Sequence, residues 1–558
     1  MTANSARRWV AVCWVWVIIA LVLLPAPEWA AGQMMPVGDP LEGYLRVLRT
    51  SGIGLSPSFT VRPVSLSGLD LADSGSPPSS DHRWSHPWGA RIARAPVGRF
   101  QDGWWSVGDS RLRVFANTKF PRGRNDGVVW QGRGVTTALE TSATLRWQGL
   151  SAVLNPILVH TRNVAFDLAP VTVPEQPEFA YPWRRMDYPQ RFGAEAYWTL
   201  DAGESRIALD LGRATVSFGN ERLWWGPGIR NAIVMSGNAP GFRHASLMTN
   251  RPLDIGIGQL EAQWVWGGLG SSEYHDPSAP NDRYLTGIVV AYSPDWLDGL
   301  TVGGTRVFQR YVPDGGLPLG EYFLVFQGLM KSGQISSTRP DGTDERDQLL
   351  SVFGRWVFAE SGAEAYFEWA RNDHSVDITD FLQEPEHSQG YTLGLQKVTS
   401  RSERRMVVLN AELTHLEASP TFQLRPRATY YEHSVVTQGY THKGQILGAW
   451  VGPGGNSQYL GVETFERWGS ASFFIQRQVH DNDAFWEWAE ATGSSFDNHD
   501  VSLDIGVSGI VFRGDFEIGG GVTFTRELNR YFFGPKLNNV NLSLSARWGP
   551  GSGGDNRR

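Results

Sequence analysis

Between residues 98 and 548 one pattern persists that few architectures can hold. Apolar and polar residues alternate at a period of two, in segments separated by clusters of Gly, Asn, Asp and Pro. Successive side chains of a strand point to opposite sides, so this period writes two different faces onto each segment. Ala363, Ala365, Phe367 and Trp369 alternate with Glu364, Tyr366 and Glu368. Val407, Leu409, Ala411 and Leu413 alternate with Val408, Asn410, Glu412 and Thr414. Phe516, Ile518, Gly520, Val522 and Phe524 alternate with Glu517, Gly519, Gly521 and Thr523. Val540, Leu542, Leu544, Ala546 and Trp548 do so with Asn541, Ser543, Ser545 and Arg547. The expected fold class is all-β.

Alternation alone also suits a soluble sandwich, and three further features favour a transmembrane antiparallel β-barrel. The N-terminus reads as an export signal, aromatics recur near segment ends, and the polar faces carry Asn, Glu, Ser or Arg suited to a wet lumen. A closed barrel also satisfies every backbone group in lipid without leaving a sheet edge. At roughly 25 residues per strand and connection, residues 98–548 give about 16–20 strands. A helical membrane bundle needs repeated apolar runs of about 20 residues, which a mean hydropathy of -0.28 does not supply. The one cysteine, Cys13, excludes a disulfide-stapled domain. With 41% hydrophobic and 12% aromatic residues the chain is not disordered, and a net charge of -7 gives no support to a nucleic-acid partner.

Arg7 and Arg8 precede an apolar run from Val10 to Leu24, followed by Ala30-Ala31-Gly32. This is the tripartite secretory pattern, so residues 1–32 are expected to be a signal peptide cleaved before Gln33. An uncleaved anchor is the alternative, for which the run is short. Residues 33–97 read as a small helical periplasmic segment. Asp39 can cap a helix, Pro40 suits its first position, and Glu42 completes a capping box. Leu41, Tyr44, Leu45 and Leu48 then form one apolar stripe, with Gly52 as a stop. Ser65 to Gly89 is linker-like, and residues 549–558 are expected to be a disordered tail. The expected location is the outer membrane of a Gram-negative-type bacterium.

Catalytic constellations are weak. Glu364 and Glu368 share a strand face about 13 Å apart at ~3.3 Å per residue, wider than the ~5–9.5 Å of glycosidase pairs. Neither a Gly-x-Ser-x-Gly elbow nor a His-Glu-x-x-His helix occurs. Asp341, Asp344, Glu345 and Asp347 lack calcium-loop spacing and read as a solvated loop. No enzyme, metal site or cofactor is expected.

Three motifs stand apart from the strand pattern. The first is Asn125-Asp126-Gly127-Val128-Val129-Trp130-Gln131-Gly132-Arg133-Gly134. The second is Glu221-Arg222-Leu223-Trp224-Trp225-Gly226-Pro227-Gly228, with Asn238-Ala239-Pro240 shortly after. The third is Gly439-Tyr440-Thr441-His442. Together with Arg526-Glu527-Leu528-Asn529-Arg530-Tyr531-Phe532, they resemble the capsule assembly Wzi family over roughly residues 39–548. The resemblance implies an 18-stranded outer-membrane barrel with a small helical periplasmic appendage. It also implies a lectin role, holding capsular polysaccharide at the cell surface.

The residue chemistry is compatible with that role. Flat aromatic faces suit sugar C–H patches, and Arg presents a planar fork to carboxylates. The candidate ligand-binding residues are Trp224, Trp225, Arg222, Arg230, Asn238 and His244, with Asn125, Asp126, Trp130, Arg133, Tyr440 and His442. A Trp pair locked by Gly-Pro-Gly would be a rigid platform; the competing reading makes it an interfacial girdle and the glycines turn residues. The expected protein is a monomeric, non-enzymatic polysaccharide binder seated in outer-membrane lipid. The alternative is a porin or diffusion channel on the same barrel.

Overall fold

The computed structural model describes residues 34–52, 57–65, 88, 98–329, 345–372, 377–402, 405–419, 429–492 and 498–549. The expected signal peptide, the Ser65–Gly89 linker apart from residues 65 and 88, residues 550–558 of the expected tail, and Asp341 and Asp344 lie outside the described residues.

Twenty-two strand segments form a single antiparallel sheet. Two staves are each built from two segments, and two short segments only extend neighbouring hairpins, so the wall has 18 staves. They are β1 (Gly103–Asn117), β2 (Gly134–Trp147), β3 (Leu150–Leu154 continued by Ile157–Thr161), β4 (Tyr197–Asp201 and Arg206–Leu211), β5 (Ala214–Gly219) and β6 (Arg243–Thr249). β7 (Gly258–Leu269), β8 (Arg283–Pro294), β9 (Leu300–Tyr311), β10 (Asp347–Phe358), β11 (Ala363–Asn372) and β12 (Gln389–Ser402) follow. β13 (Arg405–His415), β14 (Asn456–Glu466), β15 (Gly469–Val479), β16 (Val501–Arg513), β17 (Phe516–Leu528) and β18 (Leu537–Trp548) complete the wall. β18 pairs with β1, from Asn541↔Asn117 to Trp548↔Ser110, and the sheet closes.

The alternation becomes two walls. On β11 Phe367 points out, exposed, while Glu364, Tyr366 and Glu368 are buried inside; on β18 Leu542 and Leu544 are exposed and Ser543 and Ser545 face the lumen. Connections alternate in length. Tight turns join Trp147 to Leu150, Leu211 to Ala214 and Arg513 to Phe516, whereas 118–133, 162–196, 220–242 and 416–455 are long. In outer-membrane barrels the short turns face the periplasm and the long loops the outside. No described helix is long and apolar enough to cross a membrane.

The lumen is not uniformly wet. Helix α1 (Pro40–Thr50), capped by Asp39 through its bond from the Leu41 amide (2.9 Å), sits in the short-turn mouth. Its Arg46 pairs with Glu364 at 2.6 Å, and Thr50 donates to the same carboxylate at 2.8 Å. Past the helix, Val61–Arg62 pairs with Trp224–Trp225, which belong to a loop descending from the opposite end. Inward carboxylates hold that loop. Glu412 accepts from the amides of Ile229, Arg230 and Asn231 at 2.8–3.0 Å, and Glu368 accepts from Ile233 at 2.9 Å. Trp225, Ile233, Val265, Leu285, Phe353 and Tyr431 pack as an apolar core inside the barrel. Across the lumen, Ser470, Ser508, Ser543 and Ser545 line a wall of small residues beside a cavity of about 600 Å³.

Candidate extracellular cavity

The three motifs fold into the lumen, and the Trp pair is enclosed there. Gly226 has φ +107, which a side chain would strain, and its amide donates to Thr60 at 2.8 Å; a Cβ on Gly228 would lie 1.8 Å from the Asn231 carbonyl. That tight turn presses the pair inward. The Trp225 indole donates to Gln263 at 2.9 Å and its ring is wholly buried. Trp224 lies under the Arg62 guanidinium, 4.5 Å from the ring centroid, and is 3% exposed. Neither ring stands at the lipid boundary, and neither offers an open platform.

Most other candidates are also occupied by the plug. Arg222 pairs with Glu204 at 2.6 Å and donates to the Asn125 and Val37 carbonyls at 3.2 Å, beside the cavity of about 600 Å³. Arg230 stacks 4.4 Å over Tyr459. His244 bonds the Phe242 carbonyl oxygen at 2.8 Å, and Tyr440 stacks on Tyr431 at 6.0 Å. His442 accepts from the Gly270 amide at 3.0 Å; burial, then Lys443, holds its pKa well below the ordinary imidazole value, as an acceptor role requires. Arg133 donates to the carbonyls of Thr118 and Ala165 near the long-loop end.

Four candidates do converge. Asn125, Asp126, Trp130 and Asn238 line a cavity of about 280 Å³ at the long-loop end. Asn125 donates to the Arg230 carbonyl at 2.9 Å, and Asn238 to the Ile446 carbonyl at 3.0 Å. Asp126 accepts from the Arg124 amide (2.8 Å) and the Gln131 amide group (2.7 Å); burial raises its pKa to about 6 against the pull of Arg113 and Arg222. Arg124, Asn125 and Asp126 line both cavities and form the partition between them.

Sequence reasoning missed four of the aromatic walls of this cavity, Tyr181, Trp183, Tyr188 and Trp450, while Tyr531 belongs to the Arg526–Phe532 motif. These lie in loops without periodicity, and only the dense Tyr181-Pro182-Trp183 and Ala449-Trp450 clusters could have marked them. The Trp450 ring lies under Arg124 at 4.3 Å, and its buried indole N–H has no hydrogen-bond partner among the described residues. Opposite, His480, Asp500 and Glu527 bring one ligand-type atom each within 4.8 Å. Arg530 pairs with Glu527 at 2.7 Å. Burial, then Arg122 and Arg530 nearby, lowers the His480 pKa to about 3. Aromatic faces, amide groups and paired charges around this space suit a neutral or acidic sugar.

A model of the family described as capsule assembly protein Wzi matches residues 107–467. No curated protein matches this chain. Among experimentally determined structures, one from Escherichia coli is described as Wzi, a carbohydrate-binding β-barrel of the outer membrane involved in group 1 capsule assembly. It superimposes with a TM-score of 0.64 at 14% identity, covering 93% of this chain and 99% of the other. Pseudomonas aeruginosa OccK2 (OpdF) follows at 0.38, with 10% identity and 80% and 98% coverage. A BenF-like porin from Pseudomonas fluorescens gives 0.37, with 8% identity and 80% and 98% coverage.

Proposed function

The chain belongs to the capsule assembly protein Wzi family, and from that premise we propose that it is a non-enzymatic polysaccharide-binding barrel of the outer membrane, acting in capsule assembly or attachment. The long-loop cavity is the proposed binding site. One observation carries this reading: the aromatic rings of Trp130, Tyr181, Trp183, Tyr188 and Trp450 and the amide groups of Asn125 and Asn238 surround one accessible space. In this reading Trp130, Trp183 and Trp450 contact the saccharide, Asn125, Asp126 and Asn238 supply polar contacts, and Trp224 and Trp225 support the loop from beneath. The protein acts as a monomer, exported with loss of residues 1–32.

The test is binding of purified capsular polysaccharide to the detergent-extracted protein. Ring stacking is worth about 1–3 kcal/mol on nucleic-acid bases, a scale borrowed here for sugars. Trp183→Ala and Trp450→Ala are expected to weaken binding about tenfold or more while the barrel stays heat-modifiable on gels. Undiminished binding by both variants overturns the cavity as the site.

A further inference from the structure

Arg306, midway along β9, breaks the alternation. It shares the parity of Val302, which is exposed on the outer wall, yet it is only 6% exposed. A segment of the 312–346 loop covers it. Residues Leu319–Phe326 form a 3-10 turn that folds over the rim and lies against the outside of β7–β10 rather than entering the lumen. Arg306 pins its far end, donating to the carbonyls of Val325 (3.2 Å), Gln327 (2.6 Å) and Gly328 (2.8 Å) and to Gln348 (2.8 Å). Glu321 pins its near end through Arg310 (3.2 Å) and Arg346. Between the pins, Leu324 and Val325 pack on Trp264 and Phe308, and Trp266 donates to the Tyr322 carbonyl at 2.9 Å. An outward arginine is costly in hydrocarbon; here the flap's carbonyls accept its hydrogen bonds.

The flap's outer surface has the opposite character. Its one charged residue, Glu321, is turned toward Arg310 and Arg346, while Leu319 (78% exposed) and Leu329 (62%) are open and the rings of Tyr322, Phe323 and Phe326 lean on Tyr284 and Trp264 with part of each ring exposed. Below it the same wall continues with exposed Val302, Val352 and Trp356. We propose that Leu319–Leu329 is a lipid-contacting flap, docked on the barrel's outer wall and seated among the acyl chains of the outer leaflet. Continuity with the lipid-facing wall and the burial of Glu321, Arg306, Arg310 and Arg346 between flap and wall select acyl chains over an aqueous partner. A solvated loop would place its polar groups outward.

The experiment attaches an environment-sensitive fluorophore at Leu319→Cys, with Cys13→Ser in the same variant, after reconstitution in phosphatidylcholine vesicles. Glu178→Cys, exposed in the 162–196 loop, is the aqueous control. The expected result is blue-shifted emission at 319, at least twofold quenching by brominated acyl chains and weak quenching by iodide. Adding Arg306→Ala should release the flap and move the 319 signal toward the control. Iodide quenching equal to the control overturns the proposal. Efficient thiol crosslinking of Leu319→Cys into dimers also overturns it, in favour of a second copy as the occupant.

Discussion

At the scale of single residues, the inward carboxylates are structural fixings. Glu364, Glu368 and Glu412 lie on polar strand faces, and each grips the plug, through guanidinium, hydroxyl or backbone N–H donors. Trp225→Ala should therefore act through packing, costing about 3–5 kcal/mol for loss of a large buried ring. It is measured as the drop in the temperature at which the barrel loses heat-modifiable mobility. Asp126 makes a pH prediction. Its folded pKa, about 6, lies above the ordinary value of 3.8, so the fold binds that proton more tightly than the unfolded chain. Its contribution is present below about pH 4 and is lost as the pH rises through about 6. Asp126→Asn should remove that dependence, so the melting temperature of the variant relative to the parent rises between pH 4 and 7. Parallel profiles would mean burial does not govern this group. The motif residues were legible as a constellation, but their burial was not, because Gly-Pro-Gly turns look alike on a surface and in a plug.

At the scale of elements, period two carried most of the information. Leu544 is 58% exposed while its neighbour Ser545 lines the lumen. Leu544→Arg should cost about 2–4 kcal/mol if it meets lipid near the midplane, and Ser545→Arg much less. A urea folding titration in lipid compares them; equal costs would contradict the two-walled reading. Strands were readable because each residue's face follows from its place in the register. The helix was readable from Asp39, Pro40 and an apolar stripe, all local signals. The plug was not. Ile233, Tyr431 and Leu447 join the luminal core from loops whose partners are hundreds of residues away, and no local period records such contacts. Arg306 was a usable signal: a charge at an outward position requires a cover.

At the scale of the whole molecule, a barrel of 16–18 staves would ordinarily leave an aqueous channel. Here the lumen holds an apolar core and α1, so reconstituted protein is expected to conduct far less than an open porin of equal strand number. Porin-sized conductance in planar bilayers would contradict the filled lumen. The filling is lopsided. Its core leans on β7 to β11, while the arc from β15 through β18 to β2 borders an open cavity, lined by serines and glycines on β15–β18 and by Arg111, Arg113 and Glu140 on β1 and β2. The seam where the last stave meets the first lies within that open arc. An incomplete sheet can thus gather its plug early, against staves made midway through the chain, and curl round it afterwards. The final row of backbone bonds then forms beside a cavity, tied to the filling through Asn541 on the 118–133 loop and Arg547 on the helix-capping Asp39, so assembly order is written into which side of the lumen is packed and which is only pinned.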